Sequence, residues 1–195
     1  MNCMIAGVGG QGTVLASKLI AAAAMEIGMN VRTTETIGMA QRGGSVVSHI
    51  RMSNEEIYSP LISMGTADLV IAFEPSEAVR LTPFLAKDAL MVVCDNAIKP
   101  VTDSLSGGTY NAKDMTDFLK NFNTIILDGE KLISECGAKA LNIALLGAAS
   151  KSNLFPFSAD VLEEVIGSKI PEKFLEMNIK AFNVGKELYN ETRKI

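Results

Sequence analysis

The first residues in this chain with a recognisable chemical spacing are the glycines of "GVGGQG", residues 7–12, called the glycine turn below. They follow a short apolar run and precede an Ala- and Leu-rich segment without proline, which is the strand–turn–helix context of a dinucleotide-binding turn. In such a turn the first glycine allows a tight bend, the second lets the backbone approach a pyrophosphate, and the third permits close helix–strand packing. The amides at the helix N-terminus then face an anion. The predicted cofactor-binding residues are Gly7, Gly9, Gly10, Gln11 and Gly12.

Three interpretations of the glycine turn are compatible with its residues. An NAD(P)-dependent enzyme would hold the ribose hydroxyls with an acidic residue about 20 positions downstream, and Glu35 lies near that distance. Gly10 and Gln11, however, are not required by that mechanism. The alternatives are an architectural turn and a turn that contacts another anion or a partner protein.

A second candidate site lies in "TIGMAQRGGSVVSHIR", residues 36–51. Paired glycines beside an arginine allow the backbone to approach a ligand closely, while the guanidinium offers a planar fork to a carboxylate or phosphate. The alternative is a tight turn with a solvated Arg42 that leads into the strand beginning at Ser45. Because the stretch contains methionine and glycine and is not especially polar, we interpret it as a loop that faces a partner or substrate. Its residues are Gln41, Arg42, Gly43 and Gly44.

No catalytic or metal-binding residue is predicted. The single histidine, His49, has no nucleophile motif or second histidine to work with. The three cysteines are too few for a four-cysteine iron–sulfur cluster and form no C-x-x-C pair, so we expect buried free thiols. "LDGE" at 127–130 lacks the G-D-G and downstream N-N of a thiamine diphosphate motif. The three cysteines expected to be buried thiols are Cys3, Cys94 and Cys136.

Composition narrows the class of protein further. The 195 residues are 48% hydrophobic and 21% charged, with a net charge of -4, which is typical of one globular domain spanning 1–195. No basic cluster interleaves with aromatics, so no nucleic-acid partner is expected. The longest uninterrupted apolar run, Leu19–Met25, is too short to span a bilayer, and no signal peptide is read at the N-terminus. We expect a cytoplasmic protein with no membrane partner.

The order of elements predicts an α/β, three-layer Rossmann-like domain with a mostly parallel, mixed sheet and a helical C-terminal part. Strands are expected at 1–6, 30–35, 45–52, 68–73, 89–94 and 123–128, and the pattern of the third is compatible with an antiparallel pairing to its predecessor. Helices are expected at 13–28, 75–86, 112–122, 130–136, 138–151, 159–167 and 171–192, and a loop at 95–110. Gly185 lies inside the last helix at a cost of about 1 kcal/mol relative to Ala, which predicts close packing against it.

Four segments together resemble one protein family. In chain order they are "GVGGQG" (7–12), "GMAQRGGSVVSHIR" (38–51), "LNIALLGA" (141–148) and "NIKAFNVG" (178–185). The set is similar to the gamma subunit, or catalytic domain III, of the 2-oxoacid:ferredoxin oxidoreductases, and it covers essentially the whole chain. Within that family the form "GMAQRGGSV" is most similar to the small (beta) subunit of indolepyruvate ferredoxin oxidoreductase. Gamma subunits of the pyruvate and 2-oxoglutarate type more often carry Tyr-Gly and an acidic residue before the Arg-Gly-Gly.

The resemblance implies a subunit of an enzyme that oxidatively decarboxylates aryl 2-oxoacids, passing the acyl group to coenzyme A and electrons to ferredoxin. It places thiamine diphosphate and the iron–sulfur clusters in a large alpha subunit, the implied partner, and none in this chain, which would be inactive alone. No catalytic residue of the family maps onto the sequence. The alternatives are a gamma subunit of a pyruvate, 2-oxoglutarate or 2-oxoisovalerate enzyme, or a stand-alone NAD(P)-binding protein.

Overall fold

The computed structural model describes residues 1–38, 44–98, 103 and 110–193. Their centre is a six-stranded sheet with the order β2-β3-β1-β4-β5-β6. β1, β4, β5 and β6 run parallel, whereas β3 is antiparallel to both of its neighbours, β1 and β2. The strands are β1 (Asn2–Val8), β2 (Asn30–Ile37), β3 (Ser45–Ser53), β4 (Ala67–Ala72), β5 (Leu85–Cys94) and β6 (Thr124–Leu127).

Helices cover both faces of this sheet, as the three-layer prediction requires. One face carries α1, α4, α5, α6 and α7, and the other carries α2 and α3. Within the described ranges the helices are α1 (Thr13–Glu26), α2 (Pro75–Leu81), α3 (Ala112–Leu119), α4 (Gly129–Cys136), α5 (Leu141–Ser150), α6 (Ala159–Lys169) and α7 (Glu172–Thr192).

Strand alternation divides the core into two clusters. In β1, Cys3 and Ile5 face the five-helix side, whereas Met4 and Ala6 face α2 and α3. β4 and β5 divide in the same way, and both of their faces are buried. This is why their sequences read as continuous apolar runs rather than as an alternating pattern.

Several predicted boundaries need correction. The helix predicted to reach Ala86 ends at Leu81, and β5 begins four residues earlier than expected, at Leu85. Pro83 explains the break, because it has no amide proton to continue the hydrogen-bond ladder of the α-helix. A 3-10 turn, Thr82–Phe84, bridges the two elements. The helix predicted to Phe122 ends at Leu119, residues 138–140 are a 3-10 turn, and most of the predicted loop at 95–110 lies outside the described residues.

The C-terminal helices meet in a very close crossing. A Cβ atom added to Gly185 of α7 would overlap the backbone carbonyl of Ala144 in α5, and one added to Gly147 would overlap the carbonyl of Phe182. The two backbones can approach this closely because the glycine in each of these contacts has no side chain. The prediction of close packing at Gly185 is therefore confirmed, and two of the four segments that carry the family resemblance meet at this crossing.

No single helix in the described part of the chain is long and apolar enough to cross a membrane. Only α4 and the segment Ala138–Ser150 together meet that length and composition, as a pair bent by 106°.

Candidate functional site

The carboxyl ends of β1 and β4 form a topological switch point. β1 leads into α1 on one face of the sheet, whereas the neighbouring parallel strand β4 leads into α2 on the other. Open α/β sheets bind ligands in the crevice outside such a point. The glycine turn follows β1 and Glu74 follows β4, so the carboxyl ends of these two strands form the candidate site.

The glycine turn has the backbone conformation that its sequence predicts. Gly10 and Gly12 have φ angles of 102° and 82°, in the left-handed region that favours glycine. Gly12 is also the N-cap residue of α1. A Cβ at Gly12 would lie 2.6 Å from Nδ2 of Asn142 in α5, and that same amide donates to the Gly12 carbonyl at 3.4 Å. The turn is thus packed against α5 as well as against its own helix.

Gln11 braces the crevice with its side chain. Its Oε1 accepts a hydrogen bond from the Val8 amide at 2.7 Å, and its Nε2 donates to the Phe73 carbonyl at 3.4 Å, so it joins the end of β1 to the end of β4. A Cβ at Gly7 would lie 2.6 Å from the same Oε1. Gly7 therefore makes room for Gln11, a role that the dinucleotide mechanism does not include.

Some amides of the turn keep the capacity to bind an anion. The Val8 amide bonds Gln11, and the Gly9 amide donates to the Gly44 carbonyl at 2.9 Å. No acceptor among the described residues meets the amides of Gly10 and Gly12, and α1 has neither a side-chain N-cap nor an acidic residue in its first turn. No carboxylate of its own first turn therefore compensates the positive end of the α1 dipole, which suits a small anionic group.

Glu35 is not brought to the glycine turn. Strand β3 lies between β2 and β1, so two strand spacings, about 9 to 10 Å, separate Glu35 from β1. In register it stands opposite Ser48, which in turn stands opposite Ile5, well before the end of β1. Its Oε1 accepts from Ser17 Oγ of α1 at 3.4 Å. The ribose-binding arrangement of an NAD enzyme is therefore not formed.

The base of the predicted partner loop is attached to the glycine turn. Gln41, Arg42 and Gly43 lie outside the described residues, but Gly44 accepts the hydrogen bond from the Gly9 amide. The Gly38 amide donates to the Ser45 carbonyl at 2.8 Å, which closes the base of the loop. The two stretches singled out from the sequence thus meet at one edge of the sheet.

Two buried glutamates that sequence reasoning missed lie beside them. Glu74 is fully buried and caps α2 by accepting from the Glu77 amide at 3.0 Å. It also accepts from the hydroxyls of Ser76 and of Tyr110, the latter at 2.8 Å. Glu77 is 4% exposed and accepts from Ser45 Oγ at 2.5 Å. Burial raises the pKa of the Glu77 carboxyl, and the hydrogen bond from Ser45 opposes that rise.

The sequence did contain a signal for these acids. Glu74 directly follows the apolar run "DLVIAF", which predicts an acidic side chain at the carboxyl end of a buried parallel strand. Pro75, which is favoured at the first position of a helix, places Glu74 at the N-cap. Their partners Ser45 and Tyr110 lie more than 30 residues away in sequence, and a local sequence pattern does not show that they contact the two glutamates.

His49 is a buried side chain that supports the fold. It is 7% exposed on β3, its Nδ1 accepts from the Ile62 amide at 3.1 Å, and its ring lies edge-on to Phe84. Burial lowers its pKa. The imidazole therefore holds the segment before β4 against the sheet.

The acceptor role of His49 predicts a pH dependence of stability. A lowered folded-state pKa means that its contribution is complete above pH 6.5 and is lost as the pH falls through the lowered value, because protonation removes the acceptor for Ile62. We expect the urea midpoint of the chain to fall between pH about 7.5 and about 5.5 by more in wild type than in His49→Asn, whose amide oxygen is not protonated. An equal fall in both would contradict this assignment.

The cysteines are buried free thiols, as predicted. Burial raises the pKa of all three, that of Cys94 to about 12, so they remain protonated and unreactive near neutral pH. In the ranges covered by the structure, no group of three or more His, Cys, Asp or Glu side chains could hold a metal ion.

Fold and site together define a Rossmann-like α/β domain in which Glu35, the candidate ribose ligand of an NAD enzyme, lies away from the glycine turn. The sequence matches the family described as pyruvate ferredoxin/flavodoxin oxidoreductase over residues 2–188. It is 36% identical over 198 residues to indolepyruvate oxidoreductase subunit IorB of Pyrococcus horikoshii, covering 97% of this chain and 98% of that one. The chain therefore belongs to the pyruvate ferredoxin/flavodoxin oxidoreductase family, and the resemblance seen in the sequence is confirmed.

Solved structures agree on the fold. The gamma subunit of a keto/oxoacid ferredoxin oxidoreductase from Geobacter sulfurreducens matches with a TM-score of 0.71 at 23% identity, over 97% of this chain and 98% of that one. The 2-oxoglutarate:ferredoxin oxidoreductase from Magnetococcus marinus matches with a TM-score of 0.74 at 24% identity, over 98% of this chain but 31% of that one. In the Magnetococcus protein this fold is thus one part of a longer chain.

Proposed function

We propose that this chain is the small subunit of an indolepyruvate ferredoxin oxidoreductase. The observation that carries the proposal is its 36% identity with an indolepyruvate oxidoreductase subunit over nearly the full length of both chains. The complex would oxidatively decarboxylate aryl 2-oxoacids, form the acyl-CoA and reduce ferredoxin. The small subunit supports that reaction without supplying its redox chemistry.

The cofactors belong to the partner in this proposal. A four-cysteine iron–sulfur cluster does not fit a chain with three cysteines, each buried and unreactive. The sequence also lacks the G-D-G and N-N elements of a thiamine diphosphate motif. Thiamine diphosphate and the clusters are accordingly assigned to a large alpha subunit, through which ferredoxin also interacts.

We assign the carboxyl edge of the sheet to the face that meets the large subunit. Support comes from the amides of Gly10 and Gly12, which no acceptor among the described residues meets, and from Gly44, which accepts from the Gly9 amide of the same turn. The Magnetococcus structure is described with 2-oxoglutarate, coenzyme A and succinyl-CoA bound. Coenzyme A, with its phosphates, is the co-substrate whose passage this edge would line.

Substrate preference tests the proposal. We expect the chain, co-purified with its large subunit, to support coenzyme A-dependent reduction of ferredoxin or a viologen dye with indolepyruvate and phenylpyruvate. The same assay with pyruvate, 2-oxoglutarate and 2-oxoisovalerate serves as the comparison. A clear preference for one of these three would replace the arylpyruvate assignment with another member of the family.

A further inference from the structure

Glu74 and Glu77 connect three segments that are remote in sequence. Glu77 accepts from Ser45, the residue after the Gln41–Gly44 loop, and Ser45 follows Gly44, which accepts from the glycine turn. Glu74 accepts from the hydroxyl of Tyr110, the first residue of the described range 110–193. The Glu77 amide in turn donates to Glu74, so the two contacts share one rigid turn.

Capping a helix does not require this arrangement. A serine or aspartate in place of Glu74 would cap α2 equally well. The cap also gives no reason for a second buried carboxylate, Glu77, one turn later. Burying two carboxylates near each other is costly, because each loses hydration and repels the other. Besides partners within α2, each glutamate has one donor from outside the helix, Ser45 for Glu77 and Tyr110 for Glu74.

We propose that Glu74 and Glu77 form a carboxylate clasp. They are positioning residues that hold Ser45, which follows the Gln41–Gly44 loop, and Tyr110 in one fixed arrangement, and the large subunit docks against that arrangement. The clasp rests on the proposed function. It assigns to two buried acids a positioning role in assembly and turnover. Ser45 and Tyr110 do not hydrogen-bond each other, and each is bonded to one of the two glutamates.

A double-mutant cycle tests the clasp in the reconstituted complex. Ser45→Ala and Tyr110→Phe each remove one hydroxyl and little else. We expect each to raise the concentration of small subunit needed for half-maximal activity by about fivefold or more. The double variant should raise this concentration by less than the product of the two single effects. Once one hydrogen bond is lost, the two segments are no longer held in their mutual arrangement, so loss of the second bond has less left to disrupt.

Matched controls separate positioning from stability. Ser63→Ala and Tyr58→Phe make the same chemical changes at exposed positions and should leave the half-saturating concentration unchanged. Glu77→Gln, which keeps an oxygen acceptor for Ser45, should have a half-saturating concentration close to that of wild type, whereas Glu77→Ala, which also removes the ion pair with Arg80, should raise it at least as much as Ser45→Ala. A purely structural role would lower the melting temperature of the chain but leave half-saturation and the KM values of the complex unaltered.

Two results would overturn the clasp while leaving the proposed function intact. One is an active wild-type complex in which the two single effects multiply fully. The other is an active wild-type complex in which Ser45→Ala and Tyr110→Phe alter only melting temperature. A wild-type complex without turnover would instead count against the proposed function.

Discussion

Gly185→Ala is expected to lower the free energy of unfolding by about 3 kcal/mol. The added methyl group would overlap the backbone carbonyl of Ala144, and neither helix backbone can yield without separating α5 from α7. Alanine gains about 1 kcal/mol of helix propensity over glycine, which does not offset the overlap. Urea denaturation of the purified chain measures the difference.

Gly167→Ala is the matched control for that experiment. Gly167 lies in α6 with open space around the position of its missing Cβ, so only helix propensity changes. This variant should be more stable than wild type by about 0.5 to 1 kcal/mol. If Gly185→Ala were as stable as Gly167→Ala, the close crossing of α5 and α7 would be refuted.

Gln11→Ala is expected to destabilise the chain by about 1 to 3 kcal/mol and to weaken the assembled complex. The substitution leaves the buried Val8 amide without its acceptor and removes the bridge to Phe73 across the switch point. The glycine turn then loses the brace that holds its remaining amides in place. Urea denaturation of the chain and the activity of the complex report the two effects.

Gln11→Glu distinguishes the two contacts of that side chain. The carboxylate can still accept from Val8, but it sets an oxygen rather than a donor against the Phe73 carbonyl. We expect faster hydrogen exchange of the Val8 amide in Gln11→Ala than in Gln11→Glu. Equal exchange rates in wild type and both variants would show that Gln11 does not brace the turn.

Much of the fold could be predicted from local sequence because the relevant physics is local. Continuous apolar runs identify β4 and β5, and an interior glycine correctly predicts the close approach at Gly185. The end of α2 was misplaced because the apolar pattern continues past Leu81. Pro83 carried the contrary signal.

The candidate site was predicted only in part because it depends on strand order. Glu35 had a suitable sequence distance for a ribose ligand, but the insertion of β3 between β2 and β1 moves it away from the glycine turn. Glu74 and Glu77 gain their meaning from Ser45 and Tyr110, which only the folded chain brings to them. The role of Gln11 likewise depends on Phe73, at the end of a strand that is adjacent in space but distant in sequence.

The most direct test of the central claim is a titration of the purified chain into a fixed amount of its large subunit, with indolepyruvate, coenzyme A and ferredoxin present. We predict no activity from either subunit alone, a rise as the chain is added, and a plateau at a fixed ratio of the two. Reduction of NAD by the isolated chain with any oxo or hydroxy acid would contradict the account. Activity of the large subunit that did not depend on the chain would contradict it equally.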